Sequence, residues 1–308
     1  MKKYDVVVIG AGPGGMTAAL YAARANLKVA MLDRGVYGGN MNNTAEIENY
    51  PGFESIMGPE LGEKMYKTAM NAGVEFIYGN VQGIENAKNI TKLVKTDTED
   101  FETKVVIIAT GANNRKLEIP GEEKYSGRGV SYCAVCDGAF FKDEDVAVVG
   151  GGDSAVSEGL YLANVTKNVN VIHRRDELRA EKVLQDRAFK NNKIDFTWDS
   201  EVKEIVGDDQ KMTGLKVHNK KTGEDTTVPA SGVFIYIGNV PNTSEFLDLG
   251  ITDKQGWIET NDQMETAIPG IYAIGDVRSK KLRQITTAVG EGGIAGQNSF
   301  EYIESLEK

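Results

Sequence analysis

Two stretches of the chain repeat one pattern: a short unbroken apolar run, a glycine-rich break, then apolar residues at helical spacing. The first is Asp5–Ile9, Gly10 to Gly15 and Met16 to Ala25; the second is Asp145–Val149, Gly150 to Ala155 and Ser154 to Ala163. Apolar runs of this length bounded by glycine predict buried strands, and the spaced segments predict helices. Partner runs follow at Lys28–Leu32 and at Val169–Ile172. Further strands are predicted at Lys104–Ile108, Val233–Gly238 and Ile268–Asp276, and a polar ordered loop over Gly38–Gly52. Alternation from Ile194 to Val233, broken by a turn signal at Asn219–Gly223, predicts an antiparallel meander. Ile285 to Leu306 predicts one long helix despite Gly290, Gly292, Gly293 and Gly296. Polar, proline-containing stretches at 113–121 and 238–242 read as crossovers between domains. Strand–helix–strand order, used twice, predicts an α/β fold.

The glycine breaks carry chemistry. Gly10, Gly12 and Gly15 form Gly-x-Gly-x-x-Gly between a strand and a helix, the context in which backbone N–H groups receive a pyrophosphate. Asp33, at the end of the next strand, suits a ribose 2′-hydroxyl. The second break gives Gly150, Gly152 and Ala155, with Ser154 opening its helix. Its partner strand ends in His173-Arg174-Arg175, with Arg179 one turn later, where guanidinium groups suit a 2′-phosphate. Ribose ends of opposite sign predict two different dinucleotides, FAD and NADPH. Ala109-Thr110-Gly111 allows another close approach of backbone to ligand, and Gly275-Asp276 ends a strand where an acid can hold a polyol chain. Arg283-Gln284 precedes the last helix, whose N-terminus would stabilise an anionic reduced flavin if aimed at it.

Composition narrows the picture. At 308 residues and 33.5 kDa the chain is long enough for two domains, and 41% hydrophobic residues can fill two cores. A formal charge of −10 argues against nucleic acid and against an anionic membrane as partners. Lys2-Lys3 followed by Val6–Ile9 imitates a signal peptide, but the apolar run is too short, and no run is long enough to span a membrane. Cys133 and Cys136 are the only cysteines. A disulfide across so short a loop is a poor staple, whereas Cys-x-x-Cys can cycle between dithiol and disulfide, with Asp137 beside it to carry a proton. Zinc needs four ligands, and only His173 and His218 could join the two thiols, so no metal is expected. Two cysteines without a disulfide framework fit a reducing cytosol.

Taken together the motifs resemble the low-molecular-weight thioredoxin reductases of bacteria. The resemblance covers the whole chain: Gly-x-Gly-x-x-Gly, Glu46 to Gly52, Ala109-Thr110-Gly111, Cys133 to Asp137, Gly150 to Ala155, His173 to Asp176 and Gly275 to Val277 appear in the family's order. It implies two Rossmann-like three-layer α/β domains, the second inserted in the first. The FAD domain would comprise 1–113 and 243–308, and the NADPH domain 114–242. It implies a cytoplasmic homodimer that passes hydride from NADPH to FAD, then electrons to Cys133–Cys136, then to thioredoxin. Cys136 would be the cysteine nearer the flavin and Asp137 the acid–base group. Gly10, Gly12, Gly15, Asn49, Asp276, Arg283 and Gln284 fall on FAD contacts; Gly152, Ser154, Ala155, His173, Arg174, Arg175 and Arg179 fall on NADPH contacts. Thioredoxin would dock near Arg128, Cys133 and Phe140. The inserted domain would swivel about the crossovers near Gly111–Arg115 and Gly238–Asn242. Three positions depart from the family pattern: Asn40 replaces a glutamine that bonds the flavin, Ala139 replaces an aromatic residue for which Phe141 could substitute, and Ile285 replaces a smaller residue. The competing readings are a ferredoxin- or flavodoxin-type NADP reductase, which leaves Cys-x-x-Cys-Asp idle, and a non-enzymatic flavin redox sensor.

Overall fold

The computed structural model describes residues 1–44 and 46–306, apart from the side chain of Val135. The chain divides into two compact units, one built from Met1–Asn42, Glu46–Asn113 and Val240–Lys308, the other chiefly from Asn114–Asn239.

In the first unit a seven-stranded sheet forms among the described residues. Glu75–Tyr78, Val29–Asp33, Lys2–Ile9 and Phe101–Ile108 lie side by side and parallel, and Ile271–Ala273 joins the C-terminal half of Phe101–Ile108 at Val106, Ile107 and Ile108. The other half of that edge pairs antiparallel with Lys92–Thr96, which leads to Val81–Glu85. Successive side chains enter opposite layers. Val6, Val8, Met31 and Ile107 pack under the helices Pro13–Arg24 and Ile285–Leu306, while Val7, Ile9, Leu32 and Ile108 meet Phe246 and Ile258 on the far side. Burial on both faces explains why these strands are apolar without alternation. The strand expected from Ile268 is confined to Ile271–Ala273, because Ile268 caps the preceding turn by accepting the Ile271 N–H. The polar loop holds a 3₁₀ turn, Gly39–Asn43, and a two-residue pairing of Glu46–Ile47 with Ile56–Met57.

The last helix runs from Ile285 to Leu306 through all four glycines. Two of them are needed for its packing. A Cβ at Gly292 would lie 2.4 Å from Gly14 O, and one at Gly296 would lie 2.6 Å from Ala18 O, so these glycines let the helix press against Pro13–Arg24. Gly290 is different: a Cβ there meets nothing within 4 Å. Gly290→Ala is therefore expected to raise stability by about 0.5–1 kcal/mol, and Gly292→Ala to lower it by about 1–3 kcal/mol through overpacking. Thermal melts of the two variants check this; equal shifts would refute the close approach.

The second unit repeats the plan. Val130–Ser131, Gly232–Tyr236, Asp145–Gly150, Asn168–Ile172 and Ile194–Thr197 form a parallel sheet in that order. Val146, Val148, Val171 and Phe234 face the helices Asp153–Val165 and Lys182–Lys190. Ala147, Val149 and Ile235 face an antiparallel layer of Ser200–Gly207, Met212–Asn219 and Asp225–Pro229. The predicted meander is thus shorter than 194–233. Ile194–Thr197 pairs in parallel with Val169–Ile172 instead, and the closing strand Gly232–Tyr236 lies in the parallel sheet between Val130–Ser131 and Asp145–Gly150. Both units are three-layer α/β folds: helices, parallel sheet, antiparallel strands.

Candidate functional site

Cys133 and Cys136 form a disulfide with their Cα atoms 5.3 Å apart. They straddle the start of a four-residue helix, Ala134–Asp137, with Cys133 at the N-cap accepting the Cys136 N–H at 3.2 Å. One helical turn has no cooperative strength of its own. It is held by hydroxyls on either side. Ser131 Oγ accepts the Cys133 N–H at 3.0 Å and donates to Asp137 Oδ2 at 2.6 Å. Tyr236 Oη accepts the Ala134 N–H at 2.9 Å. The preceding Tyr132 donates to Glu122 Oε1 at 2.5 Å, and burial together with that carboxylate pushes its hydroxyl pKa up. Glu122 also accepts the N–H groups of Leu117 and Glu118 at 2.9 and 2.6 Å, which ties the incoming chain to the redox segment. On the helix Asp153–Val165, burial pushes the Glu158 carboxyl up to about 7.

The two glycine loops show what each position is for. Gly10 has φ +111°, and a Cβ there would lie 2.3 Å from Ala109 O; one at Gly15 would lie 1.9 Å from Gly10 O. A Cβ at Gly12 meets nothing within 4 Å. In the second unit a Cβ at Gly150 would strike Tyr236 O at 2.3 Å, Ala155 is wholly buried, and Gly152 again opens on free space. The outer positions are dictated by the protein's own packing, and the middle glycines leave room beside a helix start. Neither Gly12 nor Gly152 supplies a side-chain cap, so the first-turn N–H groups of both helices remain available to an anion. Beside the first loop lies a cavity lined by Gly10, Leu32, Asp33, Asn80 and Thr110. Asp33 accepts the Ala11 N–H at 2.7 Å and the Gly35 N–H at 2.8 Å, so it also shapes the loop. Gly111 has φ +69°.

At the end of Asn168–Ile172 the basic cluster separates into two levels. Arg174, Arg175 and Arg179 are exposed. His173 is 4% exposed, its ring lying where a Cβ on Gly151 would come within 2.4 Å, and its Nε2 has no hydrogen-bond partner among the described residues. Burial, then the charges of Arg179, Arg175 and Arg174, hold the imidazole below its ordinary value. The ring supports the loop from beneath, while the guanidinium groups form the accessible surface. Ser154 is exposed at the helix start.

In the first unit Asn40 Nδ2 donates to Ala112 O at 3.1 Å, and Asn49 Nδ2 to Gln284 Oε1 at 3.3 Å. Arg283 Nε donates to Asp276 O at 3.2 Å while its guanidinium stacks on Trp257, 3.7 Å from the ring centre. Burial pushes the Asp276 carboxyl up, against the pull of Lys280 and Arg283. Sequence reasoning missed the group that fixes this turn: Glu291 accepts the Gly275 N–H at 2.6 Å and pairs with Arg278 at 2.7 Å and Lys280 at 3.1 Å. Ser131, Tyr236 and Glu158 were missed as well. An acid six residues into a glycine-rich helix was a weak signal for Glu291, and a buried hydroxyl gives none. Phe140 is 80% exposed, and Arg128 is exposed with Nη1 donating to Asp209 O at 3.3 Å. Phe141 cannot substitute for an exposed aromatic at 139, because it packs inward, edge-on to Phe234 at 5.6 Å. Among the described residues no helix is long and apolar enough to cross a membrane.

Comparison with known proteins follows the same lines. A model of the family described as pyridine nucleotide-disulphide oxidoreductase matches residues 4–292. A thioredoxin reductase of Listeria monocytogenes is 56% identical, with 100% of this chain and 96% of that one covered. One from Bacillus subtilis is 52% identical, covering 100% and 97%. A crystal structure of Lactococcus lactis thioredoxin reductase superimposes with a TM-score of 0.97 at 57% identity, over 98% of this chain and 100% of that one.

Proposed function

Because the chain belongs to the pyridine nucleotide-disulphide oxidoreductase family, whose members imply a flavin and a pyridine nucleotide, we propose that it is an NADPH-dependent thioredoxin-disulfide reductase using FAD. The observation that carries the reading is the disulfide joining Cys133 and Cys136, followed directly by an Asp137 whose carboxylate is held on Ser131. The open second glycines and uncapped helix starts fit a dinucleotide at each loop. We assign FAD to 1–113 and 243–308, through Gly10, Gly12, Gly15, Asp33, Asn40, Asn49, Gly111, Gly275, Asp276, Arg283 and Gln284. NADPH is assigned to 114–242, through Gly152, Ser154, Ala155, Arg174, Arg175 and Arg179, with His173 supporting the loop. Bound FAD would relay two electrons from the nicotinamide to the disulfide.

The chain's own residues then carry out the exchange. Reduction gives the pair two electrons and two protons. One thiolate attacks thioredoxin's disulfide, expelling a thioredoxin thiolate and forming a mixed disulfide. Its neighbour attacks the mixed disulfide, restores Cys133–Cys136 and releases the second thioredoxin sulfur. Asp137 exchanges the protons. Exposed Phe140 and Arg128 support docking of thioredoxin beside the pair. A homodimer working in the cytoplasm completes the proposal. Purified protein should oxidise NADPH rapidly only when an oxidised thioredoxin is supplied. Oxidation driven by ferredoxin or flavodoxin alone would favour the NADP reductase reading, and no multiple turnover with any disulfide would favour the sensor.

Nucleotide choice gives a second test. Two guanidinium contacts to a 2′-phosphate contribute about 1.5–3 kcal/mol each, and the exposure of Arg174 and Arg175 sets the lower end. At ~1.4 kcal/mol per decade the preference for NADPH over NADH is on the order of 10² in kcat/KM. Replacing both arginines should remove most of it by raising KM for NADPH, with the NADH reaction little changed. A parental ratio below about ten would refute the assignment.

A further inference from the structure

The redox helix is backed by a half-buried tyrosine to which the mechanism above gives no part. Tyr236 accepts the N–H of Ala134, a residue with no exposed surface.

We propose that Tyr236, through the bond its hydroxyl accepts from the Ala134 N–H, is a positioning residue that holds the Cys133–Cys136 helix in the geometry from which the disulfide closes. The proposal rests on the reading of Cys133–Cys136 as the working redox pair.

The physical reason lies in how the two redox forms are held. In the disulfide form the S–S bond itself closes the turn. In the dithiol form that bond is gone, and the cysteines stay at closing distance because Ser131 and Tyr236 grip the single turn from outside. Removing the Tyr236 hydroxyl leaves the Ala134 N–H without an acceptor. The disulfide form, tied at both ends, cannot move to relieve this. The dithiol form can relax. Loss of the hydroxyl therefore favours the dithiol, and a buried N–H left unpaired is worth about tenfold in the equilibrium constant.

The test is redox equilibration of the holoprotein in glutathione buffers. One protein disulfide and two glutathiones give one protein dithiol and one glutathione disulfide, with the forms counted by alkylation and mass spectrometry. Tyr236→Phe should shift the constant about tenfold toward the dithiol, which is about 30 mV less negative for this two-electron couple. The change is near-isosteric and removes only the acceptor of the Ala134 N–H. A Tyr236→Phe value within about twofold of the parent, or a shift toward the disulfide, would overturn the proposal. A parent unable to reduce thioredoxin would count against the reductase reading while leaving this equilibrium measurable.

Discussion

Replacing Cys133 or Cys136 by serine is expected to bring NADPH-dependent thioredoxin reduction down to background while NADPH-dependent reduction of small electron acceptors persists. A serine hydroxyl cannot form the disulfide, and its proton is too tightly held for it to replace a thiolate. Either cysteine alone can start an exchange but cannot resolve the mixed disulfide, so turnover stops after one event at most. The dinucleotide loops are formed by other residues, Gly10 to Gly15 and Gly150 to Ala155, and do not touch the cysteines' chemistry. The oxidised form should lose at most about 2 kcal/mol of stability, the loop-closure entropy of a loop of about four residues, so the variants should still fold. The check is a pair of steady-state assays on protein with full flavin content. Loss of both activities in flavin-loaded variants would overturn the separation of roles.

What could be read in the sequence was local. The glycine spacings, the acid or arginines that close each second strand, and the adjacent cysteines are fixed by neighbours in the chain, so the motifs disclosed the chemistry before any packing was known. The long last helix was legible too, although the reason its glycines are tolerated was not. Gly292 and Gly296 meet Gly14 and Ala18, residues nearly three hundred positions away. Ile194–Thr197 was assigned to the meander because a four-residue strand has too few positions to distinguish alternation from two-sided burial. The most informative groups around the site were invisible for the same reason. Tyr236 reaches Ala134 across 102 residues, and Glu291 reaches Gly275 across 16, so neither carries a local signature. His173 was read as a nucleotide contact from its place beside two arginines, whereas the structure sets its ring under Gly151 and leaves the arginines outside. Residue type and spacing indicate which chemistry to expect; depth within the fold separates the buried member of the basic cluster from its exposed ones.

Asp137→Asn should slow thiol–disulfide exchange by ~10²–10⁴-fold while leaving flavin reduction by NADPH near the parental rate, the range expected of a general acid–base group. The substitution isolates the proton. Ser131 Oγ donates to Asp137 Oδ2 at 2.6 Å, and an asparagine oxygen can accept the same bond, so the one-turn helix keeps its hold. What the amide cannot do is take up and return a proton as each thiolate forms and leaves. Ser131→Ala is the companion variant, because it keeps the carboxylate but removes both the bond to Asp137 and the acceptor for the Cys133 N–H. It should slow exchange less than Asp137→Asn, and chiefly by loosening the helix. Stopped-flow absorbance separates the steps: flavin bleaching on mixing with NADPH, and flavin reoxidation on mixing the reduced enzyme with thioredoxin. Equal slowing of both steps in Asp137→Asn would mean that the carboxylate serves the fold or the flavin rather than the thiols, and the acid–base assignment would fall.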